Sequence, residues 1–345
     1  MLMTNVNWDK ARNCNVWINN KKYIDFTSSI FCQNFGHNNP YVIKEVDKQI
    51  DKCMHAYGYT TEIQTKYIEK LKEMLGYKHI LLFSTGSEAT EAAIKIVQNN
   101  GYNCVGIKGA MHGRTLGAEA LVVKRKALGI DSVESLFCVS GFNNPSYFIE
   151  GYRGYDCKLL NKEEIDNINY LQKNNSLIIF DEIQSGFYRT NEMFIHQHYK
   201  IKPDILLIGK SMGGGFPLSA VCFNRDFNLD NIELTSTHSG QPLQMAAGYG
   251  ILKYIENEFD RTNYWENIKI MDKFFSKLKI EHNNLGMVGA VKCGEIDEEL
   301  FYKNCFDHGL LVTKTGKGWI KIAPPVVIGN NKLNKGLNII RDYVC

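Results

Sequence analysis

The 345-residue sequence predicts an α/β protein with a mostly parallel sheet, on three observations. Residues 177–180 (LIIF) and 205–208 (ILLI) are short, unbroken apolar runs bounded by polar or glycine-rich residues, the pattern of strands buried on both faces. Residues 80–83 form a third such run and lead through a small-residue turn into the helical spacing of Ala89, Ala92, Ala93, Ile96 and Val97. The first two runs end in ionisable residues, where ligands of open α/β sheets gather. Asp181 and Glu182 follow the first; Lys210, Ser211 and glycines 213–215 follow the second.

Composition narrows the function classes. Hydrophobic content of 44% and charged content of 22% are ordinary for a soluble globular chain with a large core. A net charge of +3 gives no reason to expect nucleic acid or an anionic membrane as partner. No apolar run is long enough to span a bilayer, and the polar N-terminus lacks a signal-peptide core, so a cytoplasmic location is expected. The ten cysteines, Cys138 and Cys345 among them, show neither CxxC nor zinc spacing and read as reduced fillers. His196 and His198 read as surface residues.

Taken in order, the sequence predicts a hairpin from residue 15, turning at Asn19-Asn20, before Gly36-His37-Asn38-Asn39-Pro40 stops the extended stretch. A helix over 41–54 would bury Val42, Val46 and Ile50 on one face. Residues 61–75 have amphipathic spacing ended by Gly76. The turn Ser84-Thr85-Gly86-Ser87 between strand and helix is an anion site by construction, because free N–H groups and the helix dipole both favour phosphate; Ser87 could equally be only an N-cap. Strands follow at 103–107, 148–150 and 218–223, then a long helix from 243 to about 257. Beyond residue 262 come a helix to 280, an extended stretch at 286–293, a helix near 298–308, and apolar runs at 309–312 and 319–322.

The carboxylate and amine 29 residues apart suggest chemistry. A lysine among apolar strands and glycines loses hydration when charged, which makes its amine nucleophilic and able to form a Schiff base with an aldehyde. A carboxylate beside it can hold a protonated ring nitrogen, and the two together meet the needs of a pyridoxal phosphate (PLP) enzyme. A nucleotide-binding P-loop is excluded, since Asp204 stands five residues before Gly209 where glycine is required.

DEIQSGFYRT followed by PDILLIGKSMGGGFPLSAV closely resembles the signature of the class III aminotransferases of the ornithine and acetylornithine group. The resemblance implies fold type I: a large domain with a mostly parallel sheet, and a smaller α+β domain built from both chain ends. The expected segments are 1–55, 56–260 and 261–345. It implies that Lys210 carries PLP, Asp181 pairs with the pyridine nitrogen and Gln184 meets the ring hydroxyl, while Gly86 and Ser87 hold the phosphate. Residues 28–30 line the substrate side in relatives, or are simply a strand end here. Met111-His112-Gly113-Arg114 resembles a loop whose aromatic residue, here Met111, covers the ring. In that loop the histidine, His112, lies at the cofactor and the arginine, Arg114, grips a substrate carboxylate. Thr237 matches a threonine that reaches the phosphate of the other subunit, implying a homodimer with shared sites. Lys321 and Tyr155 stand where relatives carry the arginine that binds the co-substrate carboxylate and the glutamate that gates it. Relatives are also longer between residues 117 and 150.

The expected reaction moves an amino group from an amine or ω-amino acid, ornithine- or N-acetylornithine-like, to an oxo-acid or aldehyde acceptor. Met111, Tyr155 and Lys321 leave open a specialised biosynthetic enzyme with a donor other than glutamate. Other PLP chemistry on the same fold, or a non-catalytic binding protein, are the competing readings.

Overall fold

The computed structural model describes residues 6–122, 130–133, 144–294 and 297–344. Cys138, Cys345 and much of the stretch between 117 and 150 lie outside the described residues.

Near the N-terminus, β1 (Trp8–Arg12), β2 (Asn15–Ile18) and β3 (Lys21–Asp25) form an antiparallel meander. Asn19 and Asn20 both take positive φ, 48° and 61°, so the predicted hairpin closes through a turn whose twist matches its strands. Helix Pro40–Ile50 follows, with Asn39 as N-cap and Pro40 in its first turn. It stops four residues before the predicted end, and Ile50 is exposed; Val42 and Val46 alone of the predicted trio are buried. Helix Glu62–Leu75 ends at Gly76, whose left-handed φ of 70° makes the C-cap.

Among the described residues a seven-stranded sheet forms the centre: β4 (His79–Phe83), β5 (Asn103–Ile107), β6 (Ile130–Val133), β7 (Pro145–Glu150), β8 (Leu177–Asp181), β9 (Ile205–Ile208) and β10 (Ser219–Phe223). Its order is β4-β10-β9-β8-β7-β5-β6. Only β10 runs against its neighbours. Every residue of β8, β9 and β10 is buried. These runs are therefore apolar without alternation, as strands covered on both faces must be. Helix Gly86–Asn99 packs on the sheet, and Pro242–Asn257 packs against Pro40–Ile50, Glu62–Leu75 and the turn that follows β9.

Toward the C-terminus, β11 (His282–Leu285), β12 (Val288–Lys292), β14 (Thr313–Lys314) and β15 (Trp319–Ile322) make a four-stranded antiparallel sheet. The intervening β13 (Leu310–Leu311) instead pairs in parallel with β3, so both chain ends share one sheet. The predicted extended stretch at 286–293 is β12, which begins two residues late as the second strand of a hairpin whose turn is Gly286-Met287 and whose first strand, β11, lies before the predicted range. The predicted helix to 280 is Arg261–Phe275.

Candidate active site

Because β10 alone is reversed, the C-terminal ends of β4, β5, β7, β8 and β9 point to one edge, and the segments leaving them enclose a cavity of about 490 Å³. Lys210 lies two residues beyond β9, half-buried at the start of a short 3-10 turn, with φ of 45°. A left-handed lysine is the kind of backbone strain that concentrates at functional positions. Its side chain lines the cavity.

Asp181 closes β8 and is 5% exposed. Its Oδ2 lies 2.8 Å from Nδ1 of the buried His112, and its Oδ1 accepts from the Ile183 N–H at 3.1 Å. Burial works against the His112 imidazolium, but the Asp181 carboxylate, helped by Glu150, outweighs it and holds the ring above the usual histidine range. Glu182, next in sequence, turns away from the cavity. Its buried carboxylate accepts from Ser185 Oγ and the Ile195 and His196 N–H groups, and pairs with His196 Nδ1 at 2.7 Å. The expectation of a surface histidine pair is therefore corrected: His198 is exposed, whereas His196 is a partner of a buried glutamate.

The turn after β4 forms a helix N-terminus as the sequence predicts, with one change. Thr85, not Ser87, is the N-cap, in a capping box with Glu88. That frees Ser87, whose Oγ accepts from the Arg114 N–H at 3.2 Å and ties the turn to the 111–117 loop. The fit is close: a Cβ on Gly113 would lie 2.5 Å from Ser87 Oγ, and one on Gly86 would lie 2.9 Å from Ile183.

Gly86, Ser87, Met111, His112, Arg114, Tyr155, Asp181, Gln184, Lys210 and Lys321 all line this one cavity. Thr237 does not; its carbonyl accepts from Gln241 Nε2 at 2.7 Å, beside a separate groove formed by residues 56–61 and 235–242. Tyr155 and Lys321 take different partners. The Tyr155 ring lies under Lys317 Nζ at 4.2 Å, whereas Lys321 Nζ donates to the Gly154 carbonyl and lies 3.3 Å from Gln184 Oε1. Among the described residues no carboxylate lies within ion-pair distance of Lys321, and burial, with Lys210 and Arg189 nearby, lowers its amine to about 8.

Glu150 was missed as a site residue. It ends β7, so the strand-end rule that singled out Asp181 would have found it. Its carboxylate accepts from the Met111 and Gly154 N–H groups, and burial pushes it up to about 7. Residues 28–30 are not a strand end: Ser28–Phe31 forms a left-handed turn, and Ile30 lines the cavity.

These features fit PLP. A helix N-terminus suits a phosphate, the buried carboxylate suits a pyridinium, and a lysine lines the same cavity. Fold and site together define a fold-type I PLP enzyme. An ornithine aminotransferase from Toxoplasma gondii, described as holding PLP at partial occupancy, superposes with a TM-score of 0.88 at 23% identity, covering 100% of this chain and 90% of that one. An acetylornithine aminotransferase from Elizabethkingia anophelis gives a TM-score of 0.83 at 24% identity, over 98% and 94% of the two chains.

The sequence matches the Aminotransferase class-III family over residues 2–169 and 165–344, and the chain belongs to that family. It is 30% identical to the acetylornithine aminotransferase of Archaeoglobus fulgidus, over 96% of this chain and 94% of the relative. It is 29% identical to the [LysW]-aminoadipate semialdehyde/glutamate semialdehyde transaminase of Sulfolobus acidocaldarius, over 95% and 92%. The protein is a PLP-dependent aminotransferase. No helix of the described residues is long and apolar enough to cross a membrane.

Proposed function

We propose that the chain moves the amino group of an ω-amino acid of the ornithine or N-acetylornithine type to an oxo-acid, with Lys210 and Asp181 as its catalytic residues. The observation that carries this reading is the convergence of Lys210, the Asp181–His112 pair, a helix N-terminus and two further cations, Arg114 and Lys321, on one cavity. The activities for which the relatives are named support the donor class.

When bound, PLP supplies an electron sink for the charge that develops at the substrate carbon. Gly86 and Ser87 would hold its phosphate, Gln184 its ring hydroxyl, and the Met111 thioether would cover one ring face. The Asp181 carboxylate, held by His112 Nδ1, would keep the proton on the ring nitrogen. Lys210 Nζ serves as general base and acid, taking the proton from the carbon that bears the amine. Arg114 would bind the donor's distant carboxylate in bidentate fashion. Lys321, a buried amine among neutral acceptors, would take the acceptor's carboxylate beside its carbonyl as the missing counter-ion.

The position of Thr237 outside the cavity supports a homodimer in which each chain's Thr237 serves the other's phosphate. Tyr57 and Tyr59, exposed beside the same groove, would be covered there. Eight free thiols among the described residues suit a reducing, cytoplasmic setting.

The test is the visible absorbance of the purified protein before and after L-ornithine, N-acetyl-L-ornithine and L-glutamate are added separately. An ornithine-type donor is expected to bleach the band and yield the matching oxo-product. A band that neither ornithine-type donor bleaches overturns the donor class. Absence of any band with PLP supplied overturns the site.

A further inference from the structure

Arg189 is the largest fully buried side chain of the described residues, and no carboxylate lies within ion-pair distance of it among them. A guanidinium in that position loses hydration without a counter-charge. What it gains is geometry. Nη1 donates to the carbonyls of Met287 and Pro324 at 2.7 and 2.6 Å; Nη2 donates to Ser28 Oγ at 2.9 Å and Asn34 Oδ1 at 2.6 Å. One planar fork thus ties together three distant segments.

Two of the segments it joins are strained. Ser28, Ser29, Ile30 and Phe31 have φ of 46°, 51°, 53° and 67°, and Phe187 and Tyr188, next to Arg189, have 57° and 61°. Left-handed backbone is sterically costly for L-residues, above all for a β-branched isoleucine. Such strain persists only where surrounding bonds over-determine it, and it clusters at ligand clamps. Here Ser28 Oγ donates to the Ala323 carbonyl at 2.7 Å, and Asn34 Nδ2 donates to the Gly186 and Phe187 carbonyls. The strained turn presents Ile30 to the cavity. It also places the Phe31 ring 5.1 Å from the Arg189 guanidinium and 4.7 Å from Lys321 Nζ.

We propose that Arg189 is a positioning residue for the carboxylate end of the cavity. It holds the left-handed turn Ser28–Phe31 in place and, through the Phe31 ring, aims the Lys321 amine at the acceptor's carboxylate. The proposal rests on the assignment of Lys321 made above.

The experiment compares two ligands by calorimetry on the holoenzyme: 2-oxoglutarate, and 4-oxopentanoate, in which a methyl group replaces the carboxylate beside the carbonyl. Arg189→Met should weaken 2-oxoglutarate about tenfold while leaving 4-oxopentanoate within about twofold. Arg189→Lys should recover part of the loss, having donors but no fork. Ser28→Ala, a small change that cuts the tie between Arg189 and the turn, should weaken 2-oxoglutarate selectively by a smaller factor, and carries the test if the Arg189 variants do not fold. Equal weakening of both ligands, or of neither, overturns the proposal. Lys321→Met, measured alongside, separates the two levels. If it weakens 2-oxoglutarate while the Arg189 and Ser28 variants do not, the positioning role alone falls. If it leaves 2-oxoglutarate unchanged, the Lys321 assignment falls and takes the positioning role with it.

Discussion

Replacing Lys321 with methionine keeps the apolar stem and removes a buried charge that has no counter-ion within the described protein. The amine's fall from the ordinary 10.5 to about 8 corresponds to about 3 kcal/mol against protonation in the folded chain. Against this, the variant loses the bond to the Gly154 carbonyl and leaves that acceptor unpaired, at a cost of about 1–2 kcal/mol. At pH 7 both folded and unfolded wild type carry the proton, so the full penalty applies and Lys321→Met should be more stable by about 1–2 kcal/mol. Between about 8 and 10.5 the folded amine is neutral while the unfolded one is still charged. Wild-type stability therefore rises with pH across that window, and the penalty shrinks to about 1 kcal/mol by about pH 9.5. The variant's advantage should vanish there. Urea unfolding of both proteins at pH 7 and pH 9.5 measures this directly. A variant less stable at pH 7, or a difference that does not change with pH, would refute the claim of an uncompensated buried amine.

Other expectations concern the reaction. For the wild type, KM for 2-oxoglutarate should be flat below about pH 7 and rise as pH passes about 8, where the Lys321 cation is lost; a flat profile through pH 9 speaks against its carboxylate role. Asp181→Asn should still bind PLP but lose about 10²–10⁴ in turnover, and near-normal activity would remove Asp181 from the mechanism. Gly113→Ala, at φ of 143° and with its Cβ 2.5 Å from Ser87 Oγ, should loosen PLP about tenfold or more in equilibrium dialysis; unchanged affinity would contradict the phosphate site. Sedimentation should show a particle of two 39.4 kDa chains, and a PLP-loaded, active monomer would exclude the role given to Thr237.

Much of this was legible in the sequence because buried parallel strands advertise themselves. Unbroken apolar runs such as residues 177–180 and 205–208 admit few other readings, and their C-terminal ends carry the chemistry. The Asn19-Asn20 turn and the Gly76 cap were equally legible, since few residues tolerate those backbone angles. Apart from one local case, what the sequence hid depends on partners far along the chain. Thr85 rather than Ser87 caps its helix because Glu88 completes the box, a pairing readable in principle from spacing alone. The left-handed turn Ser28–Phe31 carries no glycine to announce it, and is held by Arg189, Asn34 and Ala323. Lys321 was matched to a gate with Tyr155, yet the two residues touch different neighbours, because β15 directs Lys321 to the Gly154 carbonyl while Lys317 covers the Tyr155 ring.

The most direct test of the central claim is borohydride reduction of the PLP-loaded enzyme followed by peptide mass mapping. The cofactor's mass is expected on the peptide containing Lys210, with loss of that label in Lys210→Ala while Asp181→Asn keeps it. Label on Lys321 or another lysine, or none on an enzyme that nonetheless transaminates, would contradict it.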